Sequence, residues 1–423
     1  MKLLVIGGGG REHAIIKKLK ENPDVTEIYC APGNGGISYD AVCVPVKADD
    51  VNGVVDFAVK NKIDFAVVSM DAPLVLGMVD ALNAAGIKAF GPDKAAARIE
   101  GSKVFGKNLM KKYGIPTAAY EVFDDAGEAV RYIKARNEYP VVIKADGPAL
   151  GKGVFICEGE KAAVSAVNAV MRDRVFGESG AKAVVEEFLT GPEVSVLSFT
   201  DGKTIVPMVS SMDHKRAFDG DKGLNTGGMG AIAPNPFYTD EIAKTCMEKI
   251  FLPTINGLRE EGAPFRGCLY FGLMLTPRGP KVIEYNCRFG DPEAQVVLSL
   301  LETDLLDVML AVCDGKLDGV PVKFSNKSAA CVILASKGYP EKYAAGYPVY
   351  GLCQGQVDGV TVYHAGTRLE NDTLLTSGGR VLGVAAVAEN LRDAVESAYK
   401  GAEHIFFEGL FRRNDIGKKA LFS

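Results

Sequence analysis

Two lysines border a glycine-rich stretch in VVIKADGPALGKGVFIC, residues 141–157. Lys144 closes an apolar run, and Lys152 stands beside Gly151 and Gly153 at the far end of the glycines. Cations next to exposed backbone N–H groups suit a polyphosphate. The stretch is nevertheless not the phosphate loop G-x-x-x-x-G-K-[ST]. Three residues rather than four separate Gly147 from Gly151, and Gly153 occupies the position of the Mg²⁺-binding Ser/Thr. The segment that follows, Val154-Phe155-Ile156-Cys157, is β-branched and aromatic, so it reads as a strand, whereas a phosphate loop feeds a helix. A glycine loop between two strands is predicted, with an ordinary hairpin turn as the alternative.

A second set lies in Lys281-Val282-Ile283-Glu284-Tyr285-Asn286. Residues i and i+2 of a strand share a face, so Glu284 and Asn286 converge. Two oxygen donors near a phosphate loop suit Mg²⁺, which keeps waters and borrows phosphate oxygens. A solvated strand face is the alternative, weakened because Cys287-Arg288-Phe289-Gly290-Asp291-Pro292-Glu293 continues with an arginine and more carboxylates. Arg288 can hold a carboxylate or phosphate through two hydrogen bonds. A third set, Asp213-His214-Lys215-Arg216 through Asn225-Thr226-Gly227-Gly228-Met229-Gly230, mixes charges with glycines. It reads either as a solvated loop or as a loop whose N–H groups and cations meet an anionic substrate. Near the N-terminus, Gly7-Gly8-Gly9-Gly10-Arg11-Glu12-His13 follows a strand and opens a helix, the context for binding an anion on backbone N–H groups. The third glycine of G-x-G-x-x-G is missing, and the second strand ends in Ala31-Pro32-Gly33-Asn34 with no acidic residue for a ribose. A small phosphate-bearing substrate is therefore favoured over NAD.

The elements that position these residues fall into three stretches. Over the first hundred residues strands (Leu3–Ile6, Glu27–Cys30, Phe65–Val68, Lys88–Phe90) alternate with helices (Arg11–Lys20, Val51–Asn61, Pro73–Ala85), which predicts a parallel, doubly wound sheet. From Gly101 a helix to Tyr113, the lysine loop and the strands Glu193–Phe199 and Ile205–Ser210 follow. The polar segment Met212–Pro236 is too long for a plain connector, and such loops are usually functional or disordered. A helix over Thr239–Glu260, strands Cys268–Leu275 and Lys281–Tyr285, and a helix over Pro292–Leu310 complete the region. After about Lys323 short apolar runs and a final helix predict an α+β tail. The expected domains are thus 1–101, 102–323 (with a smaller part at about 118–190) and 324–423.

At 423 residues the chain has room for about three domains. Its net charge of −5 argues against nucleic acid as a partner, and no stretch approaches the length needed to span a bilayer. Nine scattered cysteines without a C-x-x-C pair point to free thiols in a reducing cytoplasm. Four histidines, none at metal spacing with a cysteine or another histidine, speak against zinc.

Six segments, in this order, resemble the glycinamide ribonucleotide synthetase family of the ATP-grasp superfamily: GGREHAI, APGN, GPDKAAARIEGSK, KADGPALGKGV, DHKRAFDGDKGLNTGGMGA and EYNCRFGDPEAQ. NTGGMG together with RFGDPE is the specific part. The resemblance implies N-terminal, ATP-grasp and small C-terminal domains, and ligation of glycine to 5-phosphoribosylamine with ATP and Mg²⁺ (or Mn²⁺). It implies ATP contacts at Lys107, Lys144, Gly151, Lys152, Gly153, Glu186, Glu187, Leu189 and Glu193, with Glu186–Leu189 as the hinge beside adenine and Glu193 on the ribose. Gly9, Gly10, Arg11, Asn34, Asp213, Lys215, Thr226, Gly227, Gly228, Met229 and Arg288 are then expected at the substrates, Glu284 and Asn286 at the metal, and Arg288, Lys144 and Asp213 in the chemistry. Only small molecules are expected as partners, and a monomer is expected. Where the family writes G-P-E-x-P-L, this chain has Ser69-Met70-Asp71-Ala72-Pro73-Leu74. A carboxylating ATP-grasp ligase and a non-catalytic nucleotide sensor are the rival readings. The segment Asp213–Gly230 separates the family from the first, and the presence of Lys144, Glu284 and Asn286 from the second.

Overall fold

The apolar run Leu3–Ile6 is fully buried, as a parallel strand covered by helices on both faces must be. It belongs to the strand Lys2–Gly7 at the centre of a five-stranded, all-parallel sheet. The spatial order is Val42–Cys43, Glu27–Pro32, Lys2–Gly7, Phe65–Val68, Lys88–Phe90, which is the doubly wound arrangement expected. The computed structural model describes residues 1–147, 153–352 and 359–421, so Gly151 and Lys152 lie outside the described residues.

Two antiparallel four-stranded sheets follow. One orders Tyr120–Phe123, Ala183–Glu187, Val141–Ala145 and Val154–Cys157, so the two segments either side of the glycine loop are paired strands. The other orders Ile205–Pro207, Glu193–Asp201, Arg266–Thr276 and Gly279–Asn286. A third sheet gathers the C-terminal strands Ser328–Ser336, Val360–His364, Arg380–Ala388 and Leu410–Phe411, and takes in Met212–Asp213 and Gly230–Ala233 from the middle of the chain.

The structure differs from the sequence reading in several stretches, among them the helix expected over Pro73–Ala85, which breaks at Gly77 into Asp71–Leu76 and Met78–Ala84. The polar segment from Met212 onward is built rather than loose: its ends join the C-terminal sheet, and Arg216–Phe218 pairs with Lys222–Asn225 as a hairpin. The helix expected over Thr239–Glu260 is divided into Asp240–Cys246 and Leu252–Glu260 by a wide turn at Met247–Phe251. Pro253, with no N–H and a ring that crowds the carbonyl four residues back, accounts for the wide turn. The helix expected over Pro292–Leu310 stops near Leu300, and a new one spans Leu305–Asp314, because Asp304 caps it by accepting from the N–H groups of Leu306 and Asp307.

Two residues of the N-terminal motifs join the first sheet to the last. The Asn34 amide donates to Gly8 O at 3.0 Å and to His364 O at 2.9 Å, and its Oδ1 accepts from the N–H groups of Gly36 and Ile37, each at 2.9 Å. His13 Nδ1 accepts from His364 N at 2.8 Å, so its Nε2 carries the proton donated to Asp40 at 2.9 Å. Asn34→Asp deletes both donors and sets a carboxylate against two carbonyls. Urea unfolding is expected to show a loss of about 2–3 kcal/mol. An unchanged midpoint with a raised KM would assign Asn34 to substrate instead.

Candidate active site

A cleft of about 1080 Å³ opens between the two four-stranded sheets and the C-terminal sheet. Its first wall is set by local hydrogen bonds. Ser102 caps the helix Lys103–Lys112 by accepting from Phe105 N, and the same helix start is bound to the glycine loop. Asp146 Oδ1 accepts from Ser102 Oγ at 2.9 Å and from Val104 N at 2.8 Å, while Asp146 O accepts from Lys103 N at 2.8 Å. Lys103 and Lys107, four residues apart and so on one helix face, both line the cleft. Lys144 reaches the same place from the strand Val141–Ala145.

Glu186 binds both lysines. Its Oε2 lies 2.9 Å from Lys107 Nζ and its Oε1 3.0 Å from Lys144 Nζ, with all three side chains almost wholly buried. The Lys144 contact is an ion pair without the alignment of a hydrogen bond; the better-aligned bond from Lys144 goes to Ile283 O at 3.0 Å. Lys107 also donates to Thr117 Oγ1 at 2.8 Å, and Thr117 donates to Val282 O at 2.7 Å. Burial pushes the Lys107 ammonium down to about 8, against the opposing pull of Glu186.

The facing wall is the strand Gly279–Asn286. Its pairing with Arg266–Thr276 slips at Gly272/Leu273, so Ile283 is the extra residue of a bulge. The bulge turns the Ile283 carbonyl to Lys144, and Glu284 and Asn286 beyond it both line the cleft, as their spacing predicts. Lys215 bridges Glu284 and Glu193, at 3.4 and 3.3 Å. Lys215, with Lys144 and Lys103 further off, holds the Glu284 carboxyl down at about 2 against the effect of burial. Burial works against the charge on Lys215, but Glu193 and Glu284 overcome it and hold its pKa well above the usual lysine range.

The third wall carries Asp213, Arg288 and the glycines of 226–230. Burial, and then the neighbouring Glu293 carboxylate, push Asp213 well above the usual carboxylate range, and its buried Oδ1 has no hydrogen-bond partner among the described residues. Glu293 Oε1 accepts from Tyr270 OH at 3.0 Å, which also meets Ser195 Oγ at 2.7 Å. Arg288 Nη2 donates to Glu100 Oε1 at 3.0 Å and to Asn286 Oδ1 at 3.3 Å. Thr226 folds its loop by donating to Lys215 O at 2.8 Å and accepting from Gly228 N at 2.9 Å. Gly228 has φ +112°, and a Cβ there would stand 2.6 Å from Asp213 Oδ1, so glycine is required.

Of the residues named from sequence, Arg11, Lys107, Lys144, Gly153, Glu186, Glu187, Leu189, Glu193, Asp213, Lys215, Thr226, Gly227, Glu284, Asn286 and Arg288 line this cleft together. Gly9, Gly10, Asn34, Gly228 and Met229 are not on its surface. Gly9 N donates to Glu12 Oε2 at 2.7 Å, Gly10 packs on Gln295, and Met229 is buried. Sequence reasoning gave no role to Glu100, Lys103, Tyr270, Glu293, Tyr339 or Arg380, although Glu293 stands in the RFGDPE segment. The RIEGSK segment flagged the first two; an isolated aromatic in a strand, and Tyr339 and Arg380 far along the chain, carried no local signal.

Two antiparallel sheets closing on lysines and a carboxylate–amide pair define a nucleotide-dependent ligase architecture of the ATP-grasp class. Its fold is shared with the biotin carboxylase domain of the Hydrogenobacter thermophilus 2-oxoglutarate carboxylase, at TM-score 0.77 and 17% identity over 97% of this chain and 91% of that one. Within the class the match is specific. Residues 1–100, 101–294 and 329–419 match the N, ATP-grasp (A) and C domains of phosphoribosylglycinamide synthetase, and the chain belongs to that family. It is 49% identical over 418 residues to the phosphoribosylamine–glycine ligase of Clostridium acetobutylicum, covering 99% of this chain and 100% of the relative. It is 48% identical to that of Caldanaerobacter subterraneus, covering 98% and 99%. The crystal structure of the Thermotoga maritima phosphoribosylamine–glycine ligase superposes at TM-score 0.86, with 33% identity over 98% of this chain and 100% of that one. Among the described residues no helix is long and apolar enough to cross a membrane.

Glu186→Ala leaves two buried ammonium groups without their shared counter-ion. Urea unfolding is expected to show a loss of about 3–5 kcal/mol, the cost of breaking a buried pair from one side. Saturating ADP is expected to recover part of it, since an anion held by the same lysines stabilises the folded state. Unfolding that is unchanged without ADP contradicts the pairing.

Proposed function

We propose that the chain joins glycine to 5-phosphoribosylamine with ATP, giving glycinamide ribonucleotide, ADP and phosphate, a step of purine synthesis. The observation that carries this reading is one cleft holding Lys107 and Lys144 on one wall, Glu284 and Asn286 on the facing wall, and the family's NTGGMG and RFGDPE segments on the third.

The glycine carboxylate is a poor electrophile, so its oxygen first takes the γ-phosphoryl group of ATP while the bond to the β-phosphate oxygen breaks and ADP leaves. The amine nitrogen of phosphoribosylamine then attacks the carbonyl carbon of glycyl phosphate, phosphate departs and the nitrogen gives up a proton. Lys107 and Lys144 hold the triphosphate. Gly153 approaches it through backbone, Glu186–Leu189 flank the adenine, and Glu193 meets the ribose. Arg288 and Lys215 offset the charge that gathers when carboxylate and phosphate meet. Asp213, raised in pKa and with a free buried oxygen, is suited to take the amine's proton. Arg11, Thr226 and Gly227 face the substrates, and Gly9, Gly10, Asn34, Gly228 and Met229 support that side from behind the cleft surface.

A divalent cation fits Glu284 and Asn286. The first is held ionised, the two share a strand face, and no cluster of three or more acidic, histidine or cysteine ligands occurs among the described residues. A two-donor site of this kind suits Mg²⁺ (or Mn²⁺), which completes its shell with water and phosphate and, when bound, neutralises phosphate charge. The domain limits 1–101, 102–323 and 324–423, a monomer with small-molecule partners only, and a cytoplasmic location complete the proposal. Eight described cysteines, all free, suit a reducing compartment.

ADP release is expected only when ATP, glycine and phosphoribosylamine are all present; glycine-independent turnover would remove the assignment. Glu284→Ala is expected to lower kcat by at least about 100-fold with the fold intact by circular dichroism. A near-normal rate at saturating Mg²⁺ would contradict the metal site. Because Lys107 loses its proton from about pH 8 upward in the free protein, the Kd for ADP is expected to weaken above that pH. Calorimetry of Lys107→Met, expected to bind weakly and without that dependence, checks the attribution.

A further inference from the structure

The substrate wall depends on a contact from the far end of the chain. Its two loops, 226–230 and 288–293, meet at the side chain of Arg380. Arg380 Nη1 donates to Gly227 O at 2.6 Å, to Asp291 O at 2.7 Å and to Gly228 O at 3.3 Å. Arg380 Nη2 pairs with Asp291 Oδ2 at 3.0 Å, and the arginine side chain is only 19% exposed. The N–H of the same Gly227 donates to Tyr339 OH at 3.0 Å. Both backbone groups of Gly227, its N–H and its carbonyl, are therefore held by the C-terminal sheet and its edge.

The sheet is shaped to make this contact. Pairing of Ser328–Ser336 with Arg380–Ala388 slips between Leu334 and Ala335, a bulge that leaves Val381 unpaired beside Arg380. The preceding Gly379 lies under Tyr339, where a Cβ would approach the ring to 2.2 Å. Packing at the other end is equally tight. A Cβ on Gly227 would stand 3.0 Å from Arg380 Cζ, and one on Gly228 2.5 Å from Pro292 Cδ. The positive charge of Arg380 opposes, without overcoming, the burial and the Glu293 carboxylate that raise Asp213.

We infer that Arg380, assisted by Tyr339, is a positioning residue for the ligation. It locks the 226–230 and 288–293 loops, and with them Asp213, into one arrangement, and it acts on the substrate side of the cleft rather than on the nucleotide side. Two adjacent glycines have wide conformational freedom, and without the clamp the loop they belong to loses its fixed geometry. A lysine supplies a single point of charge and cannot span four acceptors on two loops as a planar guanidinium does.

The kinetic part of the test rests on the proposed reaction; the structural part does not. In Arg380→Ala, kcat/KM for glycine and for phosphoribosylamine is expected to fall by about 100-fold, the scale of a misplaced reacting group. The Kd for ADP with Mg²⁺ is expected to stay within about twofold, since the lysine wall shares no partner with the clamp. Low concentrations of guanidinium ion are expected to restore part of the alanine variant's rate, and Arg380→Lys to recover less than about a tenth of the wild-type value. Hydrogen exchange of the 226–230 amides is expected to speed up in Arg380→Ala. Substrate constants within about threefold of wild type, or ADP affinity falling in step with them, would overturn the inference. Should Arg380→Ala fail to fold, Tyr339→Phe, which deletes one acceptor, is expected to raise exchange at Gly227 and lower kcat/KM for glycine several-fold; no change in either overturns it. If the wild type shows no glycine-dependent ADP release, the reaction proposal fails, and exchange at Gly227 alone decides the clamp.

Discussion

The buried carboxylate of Glu186, gripped by Lys107 and Lys144, is the interaction on which the rest of the cleft depends. Two ammonium groups on neighbouring elements repel each other and lose hydration when buried. One shared anion between them makes the pair tolerable and fixes where both point. It also links the helix Lys103–Lys112 to the strands Val141–Ala145 and Ala183–Glu187 of one four-stranded sheet. The pair is thus a structural joint and, at the same time, a preformed bed of positive charge.

The opposite wall solves the complementary problem. Glu284 must stay ionised in a confined place, and Lys215 keeps it so while itself being held by Glu193 and Glu284. Cations face a carboxylate and an amide across one space, with Lys144 reaching over to the Ile283 carbonyl of the far strand. A polyanion and a divalent cation entering together satisfy both walls; either one alone satisfies only one. This coupling is a physical reason for a phosphoryl-transfer site to be built from two sheets rather than one.

Much of this could be read from the residues. The parallel N-terminal sheet followed from apolar runs spaced by amphipathic segments, and the shared face of Glu284 and Asn286 from period-two alternation. The sequence could not reveal that Ile283 is a bulge, because a bulge changes register without changing composition. Nor could it show that Asn34 and His13 face the C-terminal strand Val360–His364, since their partners lie more than three hundred residues away. The strands hidden in Met212–Pro236 escaped for a related reason. Their short, mostly polar sequences have weak strand propensity, and tertiary pairing overrides it: Gly230–Ala233 adds to Ser328–Ser336, Met212–Asp213 adds to Gly230–Ala233, and Arg216–Phe218 pairs with Lys222–Asn225. Arg380 was illegible because three of its four acceptors are backbone carbonyls, which any sequence has, and the fourth belongs to Asp291, 89 residues away.

The most direct measurement is a crystal structure with a non-hydrolysable ATP analogue and Mg²⁺. The account predicts the triphosphate between the two walls, with Lys107 and Lys144 on its oxygens and the cation bound by Glu284 and Asn286. A triphosphate lying outside this cleft, or a cation held by other side chains with Lys144 still closed on Glu186 and away from any phosphate, would contradict it.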